Sequence, residues 1–192
     1  MPKPSAIFLD RDGTLIIERN YLKDPAQITL EKNVLPALKQ LHLQDFLLIL
    51  VTNQSGIARG FFSEEEFMAT NDHLIRRLQS EGIPIAATFF CPHHPTEGHA
   101  PYQKICDCRK PEPGLLFQAQ KAFDIDMASS VMIGDKPTDV QAGQRAGVTS
   151  ILVQTGYGQE PYPNNLPPPD HIATDLLDAV HYIFRPKDKP SL

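Results

Sequence analysis

The stretch IFLDRDGTLI, residues Ile7–Ile16, joins a continuous apolar run to two aspartates, Asp10 and Asp12. Continuous apolar runs of this kind are typical of strands in parallel sheets, because helices cover both faces of such sheets. Carboxylates one residue apart repel each other, so a strand that ends in both either enters an ordinary polar turn or carries a reaction centre. The remainder of the sequence distinguishes these two interpretations.

The composition predicts one globular domain, residues 1–192, with a full hydrophobic core. The net charge of −5 argues against a nucleic-acid surface, which would show basic clusters. No apolar run approaches the roughly 18 residues of a membrane span. The first strand follows the N-terminus so closely that no signal peptide fits before it. We therefore expect a cytoplasmic protein, monomeric, without nucleic-acid or membrane partners.

Apolar runs that predict strands alternate with segments of helical period. The strands are Ser5–Leu9, Phe46–Asn53, Ala86–Cys91, Ser130–Asp135 and Ser150–Gly156. The helices are Val34–Leu43, a helix capped by Ser63 and Glu66, Leu115–Phe123, Thr138–Ala146 and Ile172–Phe184. A proline-rich loop at Gln159–Asp170 and a frayed tail after Arg185 complete the chain. This order predicts an α/β, Rossmann-like three-layer sandwich around a central parallel sheet.

Polar side chains follow several of the predicted strands: Asp10, Asp12, Thr52, Asn53 and Asp135. Ligands of open parallel sheets bind beyond the carboxyl ends of the strands, so these side chains are expected to meet at one edge. The carboxylates of Asp10, Asp12 and Asp135 need a cation to offset their repulsion. Oxygen ligands with room for water and phosphate favour Mg²⁺.

Phosphoryl transfer explains this combination of residue types. A carboxylate beside Mg²⁺ can attack phosphorus, and a second carboxylate can protonate the leaving oxygen and then activate water. Thr52 and Lys110 offer a hydroxyl and an ammonium to the phosphoryl oxygens, and Arg109 can grip a second anion. In an extended chain Arg11 points to the side opposite the aspartates, so it is not expected to touch the phosphate.

Cys91, His93, Cys106 and Cys108 form a C-x-H…C-x-C pattern. Three cysteines within a chain that has no export signal disfavour a disulfide framework. Three thiolates and one imidazole suit a closed, structural Zn²⁺ site in the loop at residues 91–108. The surrounding segment Pro92–Pro113 has too few large apolar residues to fold on its own core, so a metal is expected to fix it. Competing imidazoles are His94 and His99, whereas extended geometry places Cys91 and His93 on the same side.

Four stretches resemble, in the right order, the motifs of the haloacid dehalogenase superfamily. They are DRDGT (Asp10–Thr14), VTNQSG (Val51–Gly56), RKPEPG (Arg109–Gly114) and GDKPTD (Gly134–Asp139). Three further stretches are similar to one family within it, the D-glycero-D-manno-heptose-1,7-bisphosphate phosphatases. They are TNQSGIARGFFSEEEF (Thr52–Phe67), CPHHP (Cys91–Pro95) and CDCRKP (Cys106–Pro111).

The resemblance implies roles for individual residues. Asp10 would be the nucleophile and a Mg²⁺ ligand, and Asp12 the general acid/base with a backbone carbonyl on Mg²⁺. Asp135 would complete the metal site, with Asp139 behind it, while Thr52 and Lys110 would steady the phosphoryl group. Substrate contacts would come from Glu18, Arg19, Asn20, Tyr21, Thr52, Asn53, Gln54, Ser55, Arg109, Lys110 and Lys136. The family pattern also favours His93 as the imidazole ligand of Zn²⁺.

The function implied is a Mg²⁺-dependent phosphatase that removes the C7 phosphate of a heptose bisphosphate, a phosphorylated sugar used for lipopolysaccharide or another surface glycan. A histidinol-phosphate phosphatase is the alternative, although the twelve residues between His93 and Cys106 favour the sugar. A zinc-ribbon binding module without catalysis leaves the aspartates unexplained. Only seven residues lie between Gly56 and the helix at Glu64, so little or no cap domain is expected.

Overall fold

Six parallel strands form one sheet in a computed structural model that describes residues 2–185. The strands are β1 (Ala6–Leu9), β2 (Leu47–Asn53), β3 (Ala87–Cys91), β4 (Val131–Gly134), β5 (Thr149–Val153) and β6 (His171–Ala173). Their order across the sheet is β3-β2-β1-β4-β5-β6, so β1 lies at the centre, where Phe8 pairs with both Ile49 and Met132. The predicted frayed tail after Arg185 lies outside the described residues.

Within the described part of the chain, five α-helices cover the two faces of this sheet. They are α1 (Val34–Leu43), α2 (Glu64–Ser80), α3 (Gly114–Phe123), α4 (Pro137–Ala146) and α5 (Leu176–Phe184). Because alternate side chains of a strand point to opposite faces, Ile7 and Leu9 join the core beneath α1 and α5, whereas Ala6 and Phe8 join the core beneath α3 and α4. The predicted three-layer sandwich with a parallel sheet is confirmed.

The end of the chain differs from the prediction. The sequence pattern predicts one helix over Ile172–Phe184, but His171–Ala173 form the sixth strand, parallel to β5, and α5 begins only at Leu176. A strand of three residues is too short to show an alternating pattern. Tertiary pairing decides its conformation, and the Asp175 carboxylate starts the helix by accepting the Asp178 N–H at 3.0 Å.

The connection from β2 to α2 is short, as predicted. Ser63 Oγ accepts the Glu66 N–H, and Glu66 Oε2 accepts the Ser63 N–H, which forms the predicted capping box. Within residues 2–185, the segments that leave β1, β2 and β3 add one short 3₁₀ helix, Pro25–Gln27, and no separate cap domain. Across the same residues, no helix combines the length and apolar character needed to cross a bilayer.

Candidate active site and metal centre

Lys110 lies at the centre of a buried ionic cluster beyond the carboxyl ends of β1, β2 and β4. Its Nζ donates to Asp10 Oδ1 at 2.7 Å and to the Val51 carbonyl at 2.7 Å, and it lies 2.6 Å from Asp139 Oδ1. The lysine is 2% exposed. Burial alone would lower its pKa, but the charges of Asp10 and Asp139 outweigh this effect and raise it. Lys110 is therefore a buried ammonium held by two carboxylates.

Asn53 fixes the backbone of Lys110. The Asn53 amide donates to the Lys110 carbonyl at 2.9 Å and accepts the Lys110 N–H at 3.0 Å. Because Asn53 is the last residue of β2, this pair of hydrogen bonds docks the segment after Cys108 against the sheet. The lysine is thus positioned by a strand end on one side and by the cysteine segment on the other.

Asp10, Asp135 and Asp139 bring carboxylate oxygens within 4.8 Å of one another. Asp135 is fully buried, and burial together with the charges of Asp10 and Asp139 raises its pKa to about 8. Its Oδ2 accepts the Tyr157 N–H at 2.8 Å, while its Oδ1 has no partner among the described residues. An unpaired buried carboxylate oxygen beside two further carboxylates is what a divalent cation requires.

Gly13 makes the approach to Asp135 possible. Its φ of +84° lies in the left-handed region, and a Cβ at this position would overlap Asp135 Oδ2. Its N–H donates to the Ile16 carbonyl at 2.7 Å, so this amide closes the turn after β1. The glycine of the DRDGT stretch therefore has a packing role beside the carboxylate cluster.

Asp12 faces a different set of partners. Arg11 Nε donates to Asp12 Oδ2 at 2.9 Å and Arg11 Nη2 to Asp12 Oδ1 at 3.0 Å, while Gln54 Nε2 donates to both Asp12 Oδ2 and Thr52 Oγ1 at 2.9 Å. Burial acts to raise the pKa of Asp12, but the charge and hydrogen bonds of Arg11, with Gln54, lower it. These partners hold the carboxylate in its ionised form.

The expected orientation of Arg11 is wrong. The chain bends at residue 11, so the guanidinium turns towards Asp12 and packs 4.9 Å from the centre of the Phe67 ring. Arg11 is 1% exposed and lies against the same cavity as the aspartates. The alternation argument fails here because it holds only for an extended chain.

A cavity of about 150 Å³ opens onto this cluster. Most of the predicted substrate-binding residues line it: Glu18, Asn20, Tyr21, Thr52, Asn53, Gln54, Ser55, Lys110 and Lys136. Asp10 and Asp12 lie on the same wall, and their neighbours Arg11, Leu22, Gly56 and Tyr157 complete the lining. The two halves of the predicted site, carboxylates and substrate contacts, therefore share one cavity.

Arg19 and Arg109 are the two predicted substrate residues that do not line this cavity. Arg109 Nη1 donates to the His93 carbonyl at 3.0 Å, so its guanidinium supports the cysteine loop. Sequence reasoning missed Tyr157, which has no motif around it, and treated Asp139 as lying behind the metal site although its carboxylate joins that of Asp135. Asp135 lies just before α4 and Asp139 in its first turn, so their separation by only four residues was the available signal for the latter.

The second cluster joins Cys91, His93, Cys106 and Cys108, as predicted. Cys91 Sγ lies 3.7 Å from His93 Nδ1 and 3.6 Å from Cys106 Sγ, and Cys108 Sγ lies 3.4 Å from His93 Nδ1 and 3.3 Å from Cys106 Sγ. A tetrahedral ion with Zn–S bonds of ~2.3 Å separates its ligand atoms by roughly 3.5–3.8 Å. The four atoms therefore have nearly the spacing of a closed zinc site.

Electrostatics also favour a cation among these cysteines. The hydrogen bond from Cys91 is the largest of the effects that lower the pKa of the Cys108 thiol to about 5. The thiolate is the form of cysteine that binds metal ions, and this one lies beside two further sulfurs. The competing imidazole of His94 lies outside the cluster, where its Nδ1 accepts the Glu97 N–H at 2.9 Å and its Nε2 faces Arg59.

Comparison with known proteins agrees with this geometry. A family model described as HAD-hydrolase-like matches residues 107–179. The chain is 41% identical over 192 residues to a D-glycero-beta-D-manno-heptose-1,7-bisphosphate 7-phosphatase of Vibrio cholerae, which covers 97% of this chain and 100% of that protein. It is 38% identical over 187 residues to the phosphatase of the same name from Escherichia coli K12, which covers 97% of this chain and 96% of that protein.

A solved structure has the same fold. The crystal structure of D,D-heptose 1,7-bisphosphate phosphatase from B. bronchiseptica, complexed with magnesium and phosphate, superimposes with a TM-score of 0.80 at 34% identity, covering 93% of this chain and 97% of that one. The chain belongs to the D-glycero-β-D-manno-heptose-1,7-bisphosphate 7-phosphatase family of haloacid dehalogenase-like hydrolases.

Proposed function

We propose that this phosphatase removes the C7 phosphate of D-glycero-β-D-manno-heptose 1,7-bisphosphate, with Mg²⁺ and through an aspartyl-phosphate on Asp10. The observation that carries the proposal is the buried Asp10–Lys110 pair, 2.7 Å apart, at the wall of a cavity that polar residues of five chain segments line. The β anomer is chosen because the relatives from Vibrio cholerae and Escherichia coli carry it in their names.

The carboxylate cluster fits a magnesium ion. Asp10 and Asp135 would supply side-chain oxygens, Asp135 through the Oδ1 that has no other partner in the described chain. The Asp12 carboxylate is occupied by Arg11 and Gln54, which leaves its backbone carbonyl as the group to offer a cation. When bound, Mg²⁺ would neutralise negative charge on the phosphate and between the carboxylates.

Asp10 and Asp12 would divide the chemistry. Asp10 attacks phosphorus, and the bond to the C7 oxygen breaks as Asp12 transfers a proton to that oxygen. Asp12, now ionised, removes a proton from water, whose oxygen attacks the phosphorus and frees Asp10. Arg11 and Gln54 hold Asp12 ionised before substrate enters. A phosphate dianion beside Asp12 raises the pKa of Asp12 again, which favours the acid form needed first.

Lys110 and Thr52 would bind the transferred phosphoryl group. The ammonium of Lys110 already faces Asp10, so a phosphoryl group on Asp10 would meet a positive charge without rearrangement. The Thr52 hydroxyl oxygen accepts a hydrogen bond from Gln54, which leaves its proton for a phosphate oxygen. This preorganisation matters because the donors need not reorient as charge develops.

The cysteine cluster fits structural Zn²⁺, with Cys91, His93, Cys106 and Cys108 as a full set of four ligands. Cys91 ends β3, and its carbonyl accepts the Gln54 N–H at 2.7 Å, so the same loop that holds Asp12 rests on the cluster. Lys110 follows Cys108 by two residues. Zinc would therefore fix the backbone that presents Lys110 to Asp10.

The reaction would be a step in the synthesis of nucleotide-activated heptose for lipopolysaccharide or another surface glycan. The protein would act in the cytoplasm as a monomer. The relatives' shared name supports this proposal, since a heptose 1-phosphate product retains the anomeric phosphate that nucleotide activation needs. The acidic net charge of −5 supports a small-molecule substrate over nucleic acid.

Phosphate release from three substrates tests the proposal: the β and α anomers of the heptose 1,7-bisphosphate, and histidinol phosphate, each with Mg²⁺. We expect kcat/KM for the β anomer to exceed the others by about a hundredfold, or ~2.7 kcal/mol of transition-state discrimination. A preference for the α anomer would show that the assignment of the β anomer is wrong. A preference for histidinol phosphate would show that the proposed substrate is wrong, but it would not contradict the proposed roles of the aspartates.

A further inference from the structure

Tyr157 joins the metal site to the mouth of the substrate cavity. It lies on the short 3₁₀ helix Gly156–Gln159 that follows β5, and its N–H donates to Asp135 Oδ2 at 2.8 Å. Its side chain lines the cavity and is 40% exposed. Most of the large hydrophobic side chains in the described chain are buried, so this exposure is unusual. A ring kept half exposed at a cavity wall is a contact surface for a ligand.

The ring and the hydroxyl of Tyr157 both have polar neighbours across the cavity. Tyr157 Oη donates to Asn20 Oδ1 at 3.1 Å, and Lys136 Nζ lies 4.5 Å from the centre of the ring. Lys136 Nζ also lies 3.3 Å from Glu18 Oε2. Two contacts therefore bridge the opening of the cavity. Tyr157, after β5, contacts Asn20, and Lys136, after β4, contacts Glu18, so both contacts reach the segment that follows β1.

The segment that meets Tyr157 has an uncommon backbone. Asn20 and Tyr21 both have left-handed conformations, with φ of 50° and 67°. Such conformations cost non-glycine residues roughly 1 kcal/mol each and persist where surrounding contacts hold them, often at binding sites. Here the Asn20 N–H donates to Glu18 Oε1 at 2.8 Å, and the Asn20 side chain receives the Tyr157 hydroxyl. The strained turn thus points its amide group at Tyr157.

We infer that Tyr157 is a specificity-determining residue that contacts the sugar of the substrate, an inference that rests on the proposed function. When substrate binds, the hydrogen bond from the Tyr157 hydroxyl to Asn20 is replaced by one to a sugar hydroxyl. The ring packs against the carbon skeleton of the sugar beside Lys136. Tyrosine suits this role because it combines an apolar ring with a polar tip and has few rotatable bonds. The contact is made in the Michaelis complex and the transition state alike, so it acts mainly on KM.

The test compares Tyr157→Ala and Tyr157→Phe with the unaltered phosphatase, with two measurements for each. The first is KM and kcat for the β-heptose bisphosphate, and the second is the inhibition constant of inorganic phosphate, which carries no sugar. We expect Tyr157→Ala to raise KM by about tenfold or more with kcat within about threefold, and Tyr157→Phe to raise KM by roughly threefold. The inhibition constant of phosphate should stay within about twofold.

Tyr162→Ala is the matched control, because Tyr162 lies in the following loop and its hydroxyl donates to the Pro167 carbonyl, away from this cavity. Its KM should match that of the unaltered protein. An unchanged KM in Tyr157→Ala would overturn the inference. So would an equal loss for bisphosphate and inorganic phosphate, which would indicate that the Tyr157 side chain affects the phosphate site and makes no specific contact with the sugar. If the unaltered protein released no phosphate from the bisphosphate, the proposed function would fail first.

Discussion

The Lys110 ammonium lies 2.7 Å from Asp10 Oδ1, and the two side chains are only 2% and 6% exposed. Removing one member of a buried ion pair leaves an uncompensated charge, and Lys110 offsets Asp139 as well as Asp10. The lysine therefore maintains the metal-free fold as well as facing the nucleophile. This double role leads to a stability prediction.

Replacement of Lys110 by Met should destabilise the metal-free protein by about 3 kcal/mol, because three carboxylates are left crowded without a cation. Mg²⁺ should recover part of that loss, since a divalent ion offsets the same charges. Thermal unfolding with and without Mg²⁺ measures both effects. Lys136→Met is the control, since Lys136 is partly exposed and should lose less. Equal losses of stability in the two variants would show that the buried Lys110–Asp10 pair stabilises the fold no more than the partly exposed Lys136 does.

Replacement of Asp10 by Asn should reduce kcat by at least about a thousandfold, because an amide oxygen is a poor nucleophile towards phosphorus. The fold should survive, since the Lys110 ammonium keeps Asp139 and the Val51 carbonyl as partners. Phosphate release and a melting curve check the two halves of this prediction. Asp72→Asn, an exposed aspartate of α2, should keep full activity. Near-native turnover by Asp10→Asn would disprove the nucleophile assignment.

Much of the fold could be predicted from local patterns. The apolar runs that became β1 and β2 and the capping box at Ser63 depend on neighbours in sequence, so their bounds agree with the structure within one or two residues. β6 could not be predicted, because three residues show no period and only the register with β5 makes them a strand. Tertiary pairing overrode the helical pattern that begins at Ile172.

The candidate site divides in the same way. Spacing grouped Cys91, Cys106 and Cys108, because ligands of one ion recur at short intervals, while extended geometry and the family pattern favoured His93 as the imidazole. The orientation of Arg11 depends on a bend that no alternation rule anticipates. Tyr157 reaches the cavity because its backbone folds onto Asp135, a contact between segments 22 residues apart. Long-range contacts of this kind leave no periodic signal in a sequence.

Replacement of His93 by Gln should remove zinc, whereas replacement of His94 by Gln should leave it bound. His93 Nδ1 lies 3.7 Å from Cys91 Sγ and 3.4 Å from Cys108 Sγ, while His94 faces Arg59 and the Glu97 N–H. Because an incomplete ligand set binds zinc weakly, the His93 variant should also unfold at a lower temperature. Metal analysis of purified protein gives the zinc content directly. One zinc per chain in both variants would show that the His93 imidazole is not a zinc ligand.

Replacement of Asp135 by Asn should abolish turnover yet stabilise the metal-free protein increasingly as the pH rises from about 4 to about 8. Burial and the charges of Asp10 and Asp139 raise the pKa of Asp135 to about 8, far above the ordinary value of an unfolded aspartate. Between about pH 4 and pH 8 the folded protein therefore binds a proton that the unfolded chain has lost, so this group makes stability fall as pH rises. Below about pH 4 both states hold the proton and the difference disappears.

Asparagine carries no charge at any pH, and its amide oxygen can still accept the Tyr157 N–H. The gain from Asp135→Asn should therefore be near zero at about pH 4 and reach roughly 5 kcal/mol at about pH 8.5 without metal, measured by denaturant unfolding at each pH. With saturating Mg²⁺ the order should reverse, because only the carboxylate binds the ion and gains stability from it. A gain that is the same at both pH values would show that the effect comes from packing and that Asp135 is not the strained carboxylate of the cluster.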